Sequence, residues 1–231
     1  MTSILLLGLL IGMKHALESD HVAAIASLTA RSGSHRQAIR QGLAWGLGHA
    51  VTLFAVGSAV LIAGAVVPDK ISRLLELGVG ILLVVLGGDV IRRVIRDRIH
   101  YHAHRHDQAV HLHLHSHRDE AEHARSRHAH DHPVGLPWRA LMVGMVHGMA
   151  GSAALVLLVL AAIDSVWLGL LYLLLFGIGS MIGMAALTCV IAWPLRLAAR
   201  RLTWAYNGMT VAVGMVTIIV GGLMIAEYAG G

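Results

Sequence analysis

The chain is short of charge and of cysteine. Asp, Glu, Lys and Arg make up 13% of its 231 residues, against about 25% in a typical soluble globular domain. A water-exposed surface over the whole chain is therefore excluded, and 56% hydrophobic residues exclude intrinsic disorder along its length. The single cysteine, Cys189, cannot form an intrachain disulfide. An integral membrane protein is the class that remains, and the mean hydropathy of +0.69 agrees with it.

Long uncharged runs predict six membrane-spanning helices, since a span needs about 20 apolar residues. Four runs contain no Asp, Glu, Lys or Arg: 42–67, 140–163, 165–195 and 205–226. A fifth run, 74–91, has only Glu76 and Asp89 near its ends. The sixth span covers about 4–30 and has ionisable groups inside it, which are costly in a bilayer and usually mark a function. A signal peptide is the alternative here, but residues 1–3 lack its positive charge.

Arginine and lysine are distributed very unequally between the two faces of such a bundle. The connections at 31–41, 92–139 and 196–204 carry 15 of them, whereas the opposite face carries Lys70 and Arg73. Because cytoplasmic loops are enriched in these residues, we expect the three connections in the cytoplasm and both termini outside, in an inner or plasma membrane. The net charge of +5 then reflects topology, and nucleic acid is not expected as a partner.

The two halves of the chain resemble each other. Three segments of the first half recur in the second in the same order, at offsets of 131 to 134 residues: 12–17 with 144–149, 46–49 with 177–180, and 79–88 with 213–222. A repeat of three spans reverses its orientation, and inverted repeats are typical of transporters. The predicted fold is all-α and integral to the membrane. It has six transmembrane helices as two inverted three-helix repeats, at 1–95 and 136–231, joined by a histidine-rich cytoplasmic loop at 96–135.

Ionisable residues inside the first span form the most specific chemical pattern. They have the spacing His15-x4-Asp20-His21, with Glu18 between, and two more histidines, His49 and His147, lie within other spans. Neutral imidazole and carboxylate bind divalent nickel, cobalt, copper and zinc, so these residues are candidate metal ligands. The alternative is that the histidines only donate hydrogen bonds between helices.

A straight helix cannot aim this whole motif at one point. At 100° per residue, Asp20 faces away from His15 and Glu18, so either the helix is distorted here or Asp20 orients a ring nitrogen of a ligand. A rise of about 1.5 Å per residue predicts His15 about 22 Å from the cytoplasmic end of its span, deeper than the other three histidines at about 10–13 Å. Lys14 is expected to pair with Glu18 at i, i+4.

The motifs also carry a family resemblance. Residues 12–25, GMKHALESDHVAAI, are similar to the signature of the nickel/cobalt transporter family, H-x4-D-H followed by small residues and Ile. Residues 46–51, GLGHAV, resemble the family's second motif. The resemblance implies metal recognition by four residues of the first two spans: His15, Asp20, His21 and His49.

The second half departs from the larger members of that family, because their acidic, threonine-containing motif is absent from it. Residues 147–154, HGMAGSAA, are instead similar to the shorter six-span branch, often labelled urease-accessory nickel permeases. We therefore expect His147 among the metal ligands, with Glu18 and Ser152 in supporting positions.

Residues 100–132 contain 12 histidines in 33 positions, most densely at His111, His113, His115 and His117. This composition cannot form a packed core and predicts disorder. Tethered imidazoles bind Ni, Cu, Zn or Co without fixed geometry, so the segment is interpreted as an auxiliary metal buffer or sensor. The alternative is a solvated linker whose histidines matter little for turnover.

Together these features favour a secondary transporter, not an enzyme, that takes up a divalent transition metal; the family resemblance selects Ni²⁺ or Co²⁺. No G-x4-G-K-[ST] signature for ATP occurs. We expect no permanently bound cofactor, the metal ion as substrate, the lipid bilayer as surroundings and a cytoplasmic metallochaperone as a candidate partner. Three alternatives stay open. They are efflux of the same ions, a membrane metalloenzyme using Glu18, and a thiol-redox protein of similar repeat design, which the lone Cys189 disfavours.

Overall fold

Helices dominate the computed structural model, which describes residues 2–32, 34–64, 68–97, 100–106, 109–115, 137–150, 163, 165–201 and 203–229. The helices among them are α1 (Thr2–His15), α2 (Ser19–Ala30), α3 (His35–Ala63), α4 (Asp69–Asp97), α5 (Trp138–Ala150), α6 (Val166–Arg201) and α7 (Thr203–Ala229). Two strands, β1 (His100–His106) and β2 (Ala109–His115), follow α4. The architecture is that of an α-helical integral membrane protein.

Four described helices, α3, α4, α6 and α7, are long and apolar enough to cross a membrane. They agree with the second, third, fifth and sixth predicted spans. Of the predicted fourth span, α5 covers the first part, and residues 151–162 lie outside the described residues. Ser34 caps the start of α3, where its hydroxyl accepts a hydrogen bond from the Gln37 main-chain nitrogen at 3.1 Å, and Gly64, in the left-handed conformation, caps its end.

The predicted first span is two helices joined by a break at the histidine motif. α1 has 14 residues and α2 has 12, so neither piece reaches the length of a span by itself. Between them Glu18 has an extended main chain, with φ −64° and ψ 148°, and α2 starts from its carbonyl oxygen, which accepts from the Val22 nitrogen at 2.9 Å. The motif helix is thus distorted, which is the first of the two alternatives that the helical wheel left open.

The largest hydrophobic cluster surrounds this break. Ala16 is fully buried there and belongs to the same cluster as Trp45 of α3 and Met184 of α6. On the far side of α2, the hydroxyls of Ser27 and Thr217 lie 2.9 Å apart and join α2 to α7. Because interiors are closely packed, these contacts fix the direction in which α2 leaves the break.

Helices of the two halves pack against each other in crossed pairs, α1 on α6, α5 on α3 and α4 on α7. Glycines allow the closest approaches. A Cβ added at Gly12 would overlap the carbonyl oxygen of Phe176, and one at Gly144 would overlap that of Trp45. These two contacts correspond to each other at offsets of 132 and 131 residues, the values found in the sequence repeat.

The prediction of disorder for the histidine-rich segment is wrong over β1 and β2. The two strands pair antiparallel, and their register sets histidines opposite histidines, as in His102 with His113, and apolar residues opposite apolar residues, as in Ala103 with Leu112. The physical reason is the strict alternation of histidine with other residues, a period of two that suits a strand despite the polar composition. His117 and the rest of 116–136 lie outside the described residues.

Candidate metal site

The four histidines predicted inside the spans come together in the interior. His15 ends α1, His21 lies in the first turn of α2, His49 is in the middle of α3 and His147 is in the last turn of α5. Their exposed fractions are 5%, 1%, 0% and 1%. Four imidazoles removed from water are costly unless they find partners, so the cluster calls for a chemical reason.

His21 is the centre of the cluster. Its ring centroid lies 4.3 Å from that of His15, 5.0 Å from that of His49 and 4.4 Å from that of His147. In a straight helix, positions 15 and 21 would be separated by about 9 Å along the axis. The difference in depth of about 9 Å predicted for His15 and His21 is therefore wrong, because the break between α1 and α2 brings the two rings within 4.3 Å of each other.

Asp20 joins two of the histidines. One carboxylate oxygen, Oδ2, lies 2.8 Å from His147 Nε2, and the other, Oδ1, lies 3.0 Å from His21 Nδ1. An ionised carboxylate only accepts hydrogen bonds, so both ring nitrogens donate to it. This fixes the tautomers and leaves the second nitrogen of each ring, Nδ1 of His147 and Nε2 of His21, with a free lone pair.

Glu18 plays the same part for His15. Its carboxylate Oε1 lies 2.9 Å from His15 Nδ1. The sequence predicted that Glu18 pairs with Lys14, whereas the structure pairs it with His15. The extended main chain at Glu18 turns its side chain back towards the last residue of α1, and His15 Nε2 is left as the unprotonated nitrogen.

Several ring nitrogens of the cluster have no hydrogen-bond partner among the described residues. They are Nε2 of His15, Nε2 of His21, Nδ1 of His147 and both nitrogens of His49. Buried polar groups are nearly always paired, and unpaired ones point to an ion or water that belongs there. Lone pairs of imidazole converging in an apolar interior are suited to a transition-metal cation.

Two overlapping groups of three residues have ligand atoms within 4.8 Å of one another: His15, His21 and His49, and Asp20, His21 and His147. The first group offers nitrogens that are free. In the second, the carboxylate and the His147 Nε2 already bond to each other.

Aromatic rings enclose the histidines on two sides. The Trp45 ring lies 5.4 Å from that of His147, and the Phe176 ring lies 5.3 Å from that of His15. The two contacts correspond at the offsets of the sequence repeat. Sequence reasoning missed both residues, although Trp45 stands four residues before His49 and so shares its helix face.

Ser180 is another residue that sequence reasoning did not select. It is fully buried in α6, and its hydroxyl has no hydrogen-bond partner within the described part of the chain. When residues 46–49 are matched with 177–180, Ser180 takes the position of His49. This correspondence is the sequence signal that could have identified Ser180. The predicted supporting residue Ser152 lies outside the described residues. The backbones of His111, His113 and His115 lie in β2, and their side chains are not described.

A cavity of about 340 Å³ leads to the cluster. It is lined by His21 and His147 together with carboxylates from three helices and the break: Glu18, Asp20, Glu76 and Glu227. Glu76 lies near the start of α4 and Glu227 near the end of α7. The cavity is thus at the end of the bundle away from the arginine-rich connections that follow α2, α4 and α6.

Comparisons with known proteins cover nearly the whole chain. Residues 3–221 match the model of a family described as the cytochrome c biogenesis protein transmembrane region. A protein of Bacillus sp. (strain TB-90), called urease accessory protein UreH, is 34% identical over 224 residues, which are 95% of this chain and 89% of that protein. No solved structure matches.

Proposed function

The chain belongs to the family described as the cytochrome c biogenesis protein transmembrane region, and we propose that within it this protein is a secondary transporter that takes up nickel or cobalt. The observation that carries the proposal is the convergence of His15, His21 and His49 at the helix break, buried and with free nitrogens. Such a site binds a dehydrated divalent transition metal inside the membrane. The choice of nickel or cobalt rests on the motif resemblance and on a relative whose name refers to urease.

In the proposed site the three imidazoles bind the ion, and the carboxylates orient them. Glu18 holds His15 through Nδ1, and Asp20 holds His21 through Nδ1. Carboxylates in this position also raise the basicity of the ligand nitrogen. His147 is tied to Asp20 and has one free nitrogen, so it is the fourth group available when the ion arrives or leaves.

We further propose that the chain is built of two inverted three-helix repeats. The support is that contacts between helices occur in corresponding pairs. Gly12 meets Phe176 as Gly144 meets Trp45, and the corresponding aromatic rings lie beside His15 and His147. In inverted-repeat transporters the substrate site lies where the two halves meet, and α1 to α3 meet α5 and α6 at this cluster.

The acidic cavity supports uptake as the direction of transport. Glu76 and Glu227 line it at the end of the bundle opposite the arginine-rich connections. If those connections are cytoplasmic, as the distribution of arginine predicts, the cavity opens outside. Carboxylates around an entrance raise the local concentration of a dication. In this scheme the cytoplasmic histidine-rich segment buffers the ion after its passage, before a metallochaperone receives it.

Thiol-redox chemistry is one of the alternatives that the repeat design left open, and the sequence of this chain disfavours it. Thiol–disulfide exchange within one chain needs two cysteines, and the chain contains Cys189 alone. Cys189 lies on α6, whereas the buried cluster at the break contains imidazoles and carboxylates. The cluster therefore supports metal binding.

The test is nickel uptake by the purified protein in liposomes. We expect His21→Ala and His49→Ala to lower kcat/KM by more than the roughly 10–100-fold that loss of an orienting group costs. His35→Ala is the matched control, since His35 is exposed on the same helix as His49. Cobalt, zinc and manganese added as competitors report the preference for the ion. Wild-type uptake by both cluster variants would contradict the proposed site.

A further inference from the structure

A second, larger cavity lies at the opposite end of the bundle from the histidine cluster. Its volume is about 920 Å³, within the range of ligand-binding cavities. It lies between α2, α3, α4 and α5, and most of its wall is apolar, with contributions from Leu82, Val85, Leu86, Met142 and Val143. None of these residues belongs to the proposed metal site.

The cavity opens sideways, between α4 and α5. Val85 is 61% exposed and Met142 is 43% exposed, although both lie well inside apolar helices. In a membrane this side of the protein is in contact with lipid acyl chains, and an apolar recess of this size is filled by them. The apolar wall of the cavity therefore fits the acyl chains of a lipid.

The rim of the cavity is basic. Arg31, Arg92 and Arg139 line it, and Asp89 offsets only part of their charge, with 2.9 Å between its Oδ2 and Arg31 Nη1. The same carboxylate oxygen lies 3.3 Å from Nε of a further arginine, Arg93. Burial, and next the nearby charge of Arg93, lower the pKa of Arg31, which indicates positive charges crowded at this rim.

An aromatic residue completes the rim. Trp138, the first residue of α5, lines the cavity and is 64% exposed. Tryptophan at a helix end is typical of the level of the lipid headgroups. The apolar wall, the tryptophan and the arginines thus follow each other in the order of a phospholipid's parts, from acyl chain to phosphate.

We propose that this cavity binds an anionic phospholipid, with an acyl chain along α4 and α5 and its phosphate at Arg92 and Arg139. Basic recesses between membrane helices bind anionic headgroups, and arginine matches a phosphate with two parallel hydrogen bonds. The site is independent of the metal-transport proposal, because neither its residues nor its test involve the histidine cluster.

The test compares phosphatidylglycerol with phosphatidylcholine of the same acyl chains, added to the delipidated full chain in detergent. Native mass spectrometry counts bound lipids, and the thermal unfolding midpoint reports stabilisation. We expect phosphatidylglycerol to bind more tightly. Arg92→Gln with Arg139→Gln should weaken it about fivefold for each charge removed, the factor that corresponds to about 1 kcal/mol per basic residue at an anionic surface. Phosphatidylcholine also has a phosphate, but its choline offsets the negative charge, so the double substitution should weaken its binding less than that of phosphatidylglycerol.

Two further variants separate the headgroup site from the acyl-chain site. Met142→Trp fills the opening and should weaken both lipids. Arg36→Gln, at an exposed arginine near the start of α3 and outside the cavity, should weaken neither. Unchanged unfolding without lipid shows that the variants fold.

Three results would overturn the proposal. The first is equal binding of the two lipids to the wild-type chain. The second is competition by inorganic phosphate at low concentration, which means a free-anion site. The third is a disulfide between two copies of a Met142→Cys, Cys189→Ala chain, which means that a second copy covers the cavity.

Discussion

Replacing Asp20 by asparagine removes the charge that holds two buried histidines while keeping the size of the side chain. Asp20 accepts a hydrogen bond from His147 Nε2 at 2.8 Å and another from His21 Nδ1 at 3.0 Å. Asparagine has one oxygen, so its amide group must face one of the two ring N–H groups with a donor. At least one hydrogen bond is lost, and the affected ring is free to turn or to change tautomer.

The size of the effect follows from that loss. A hydrogen bond to a charged group contributes about 1.5–3 kcal/mol, and loss of a group that orients a metal ligand weakens binding roughly 10–100-fold, which is about 1.4–2.7 kcal/mol. We therefore expect the nickel Kd of Asp20→Asn to rise within that range. The assay is isothermal titration calorimetry of the purified chain in detergent.

Asp89→Asn provides the control, since Asp89 also contacts two cationic side chains but belongs to the arginine-rich end. It should leave the nickel Kd unchanged. A folded Asp20→Asn protein whose Kd lies within about twofold of the wild type would refute the orienting role of this carboxylate.

Three other predictions concern the entrance, the orientation and the histidine-rich segment. Glu76→Gln with Glu227→Gln should raise the apparent KM for nickel several-fold at low salt and less at high salt, with little change in maximal rate, because salt screens attraction to an entrance; an unchanged KM at low salt argues against it. In a Cys189→Ala background, a cysteine at His115 should be protected from impermeant thiol reagents in intact cells and one at Gly230 labelled, and the reverse pattern refutes the orientation. Deleting 100–132 should leave the uptake rate at saturating nickel nearly unchanged and alter the concentration dependence, since the buried histidines remain; complete loss of rate with normal insertion moves the essential ligands into the segment.

The long helices could be predicted from the sequence because a bilayer demands uncharged runs of a certain length, and α4 and α7 contain their predicted runs completely. The hairpin was not predicted, because the polar, histidine-rich composition of the segment indicates disorder while its alternation indicates a strand. Alternating histidines have the period of a strand, and β1 pairs with β2 in the register that this period allows.

The members of the histidine cluster could also be predicted from the sequence, because an ionisable residue inside a span needs a partner and four histidines were available. The geometry of the cluster could not be predicted from the sequence. The helical wheel left a distortion as one of two alternatives. It did not locate the break at Glu18, whose carboxylate contacts His15 at the end of α1. Phe176 was missed for a related reason. It approaches the histidines from α6, and only tertiary packing against Gly12 brings it there.

The proposed repeat distributes the ligands unequally between the two halves. At the offsets of the match, the residues equivalent to His15, Asp20, His21 and His49 are His147, Ser152, Ala153 and Ser180. The free nitrogens of the first triad therefore all belong to one half, and the other half contributes Phe176 and a histidine tied to Asp20. An ion whose direct ligands all belong to one half keeps its coordination when the other half moves. Rocking of one half against the other is how inverted-repeat transporters change the side from which a site is reached. In the proposed transporter, unequal halves would reconcile a nearly fixed ligand geometry with access that alternates between the two faces of the membrane.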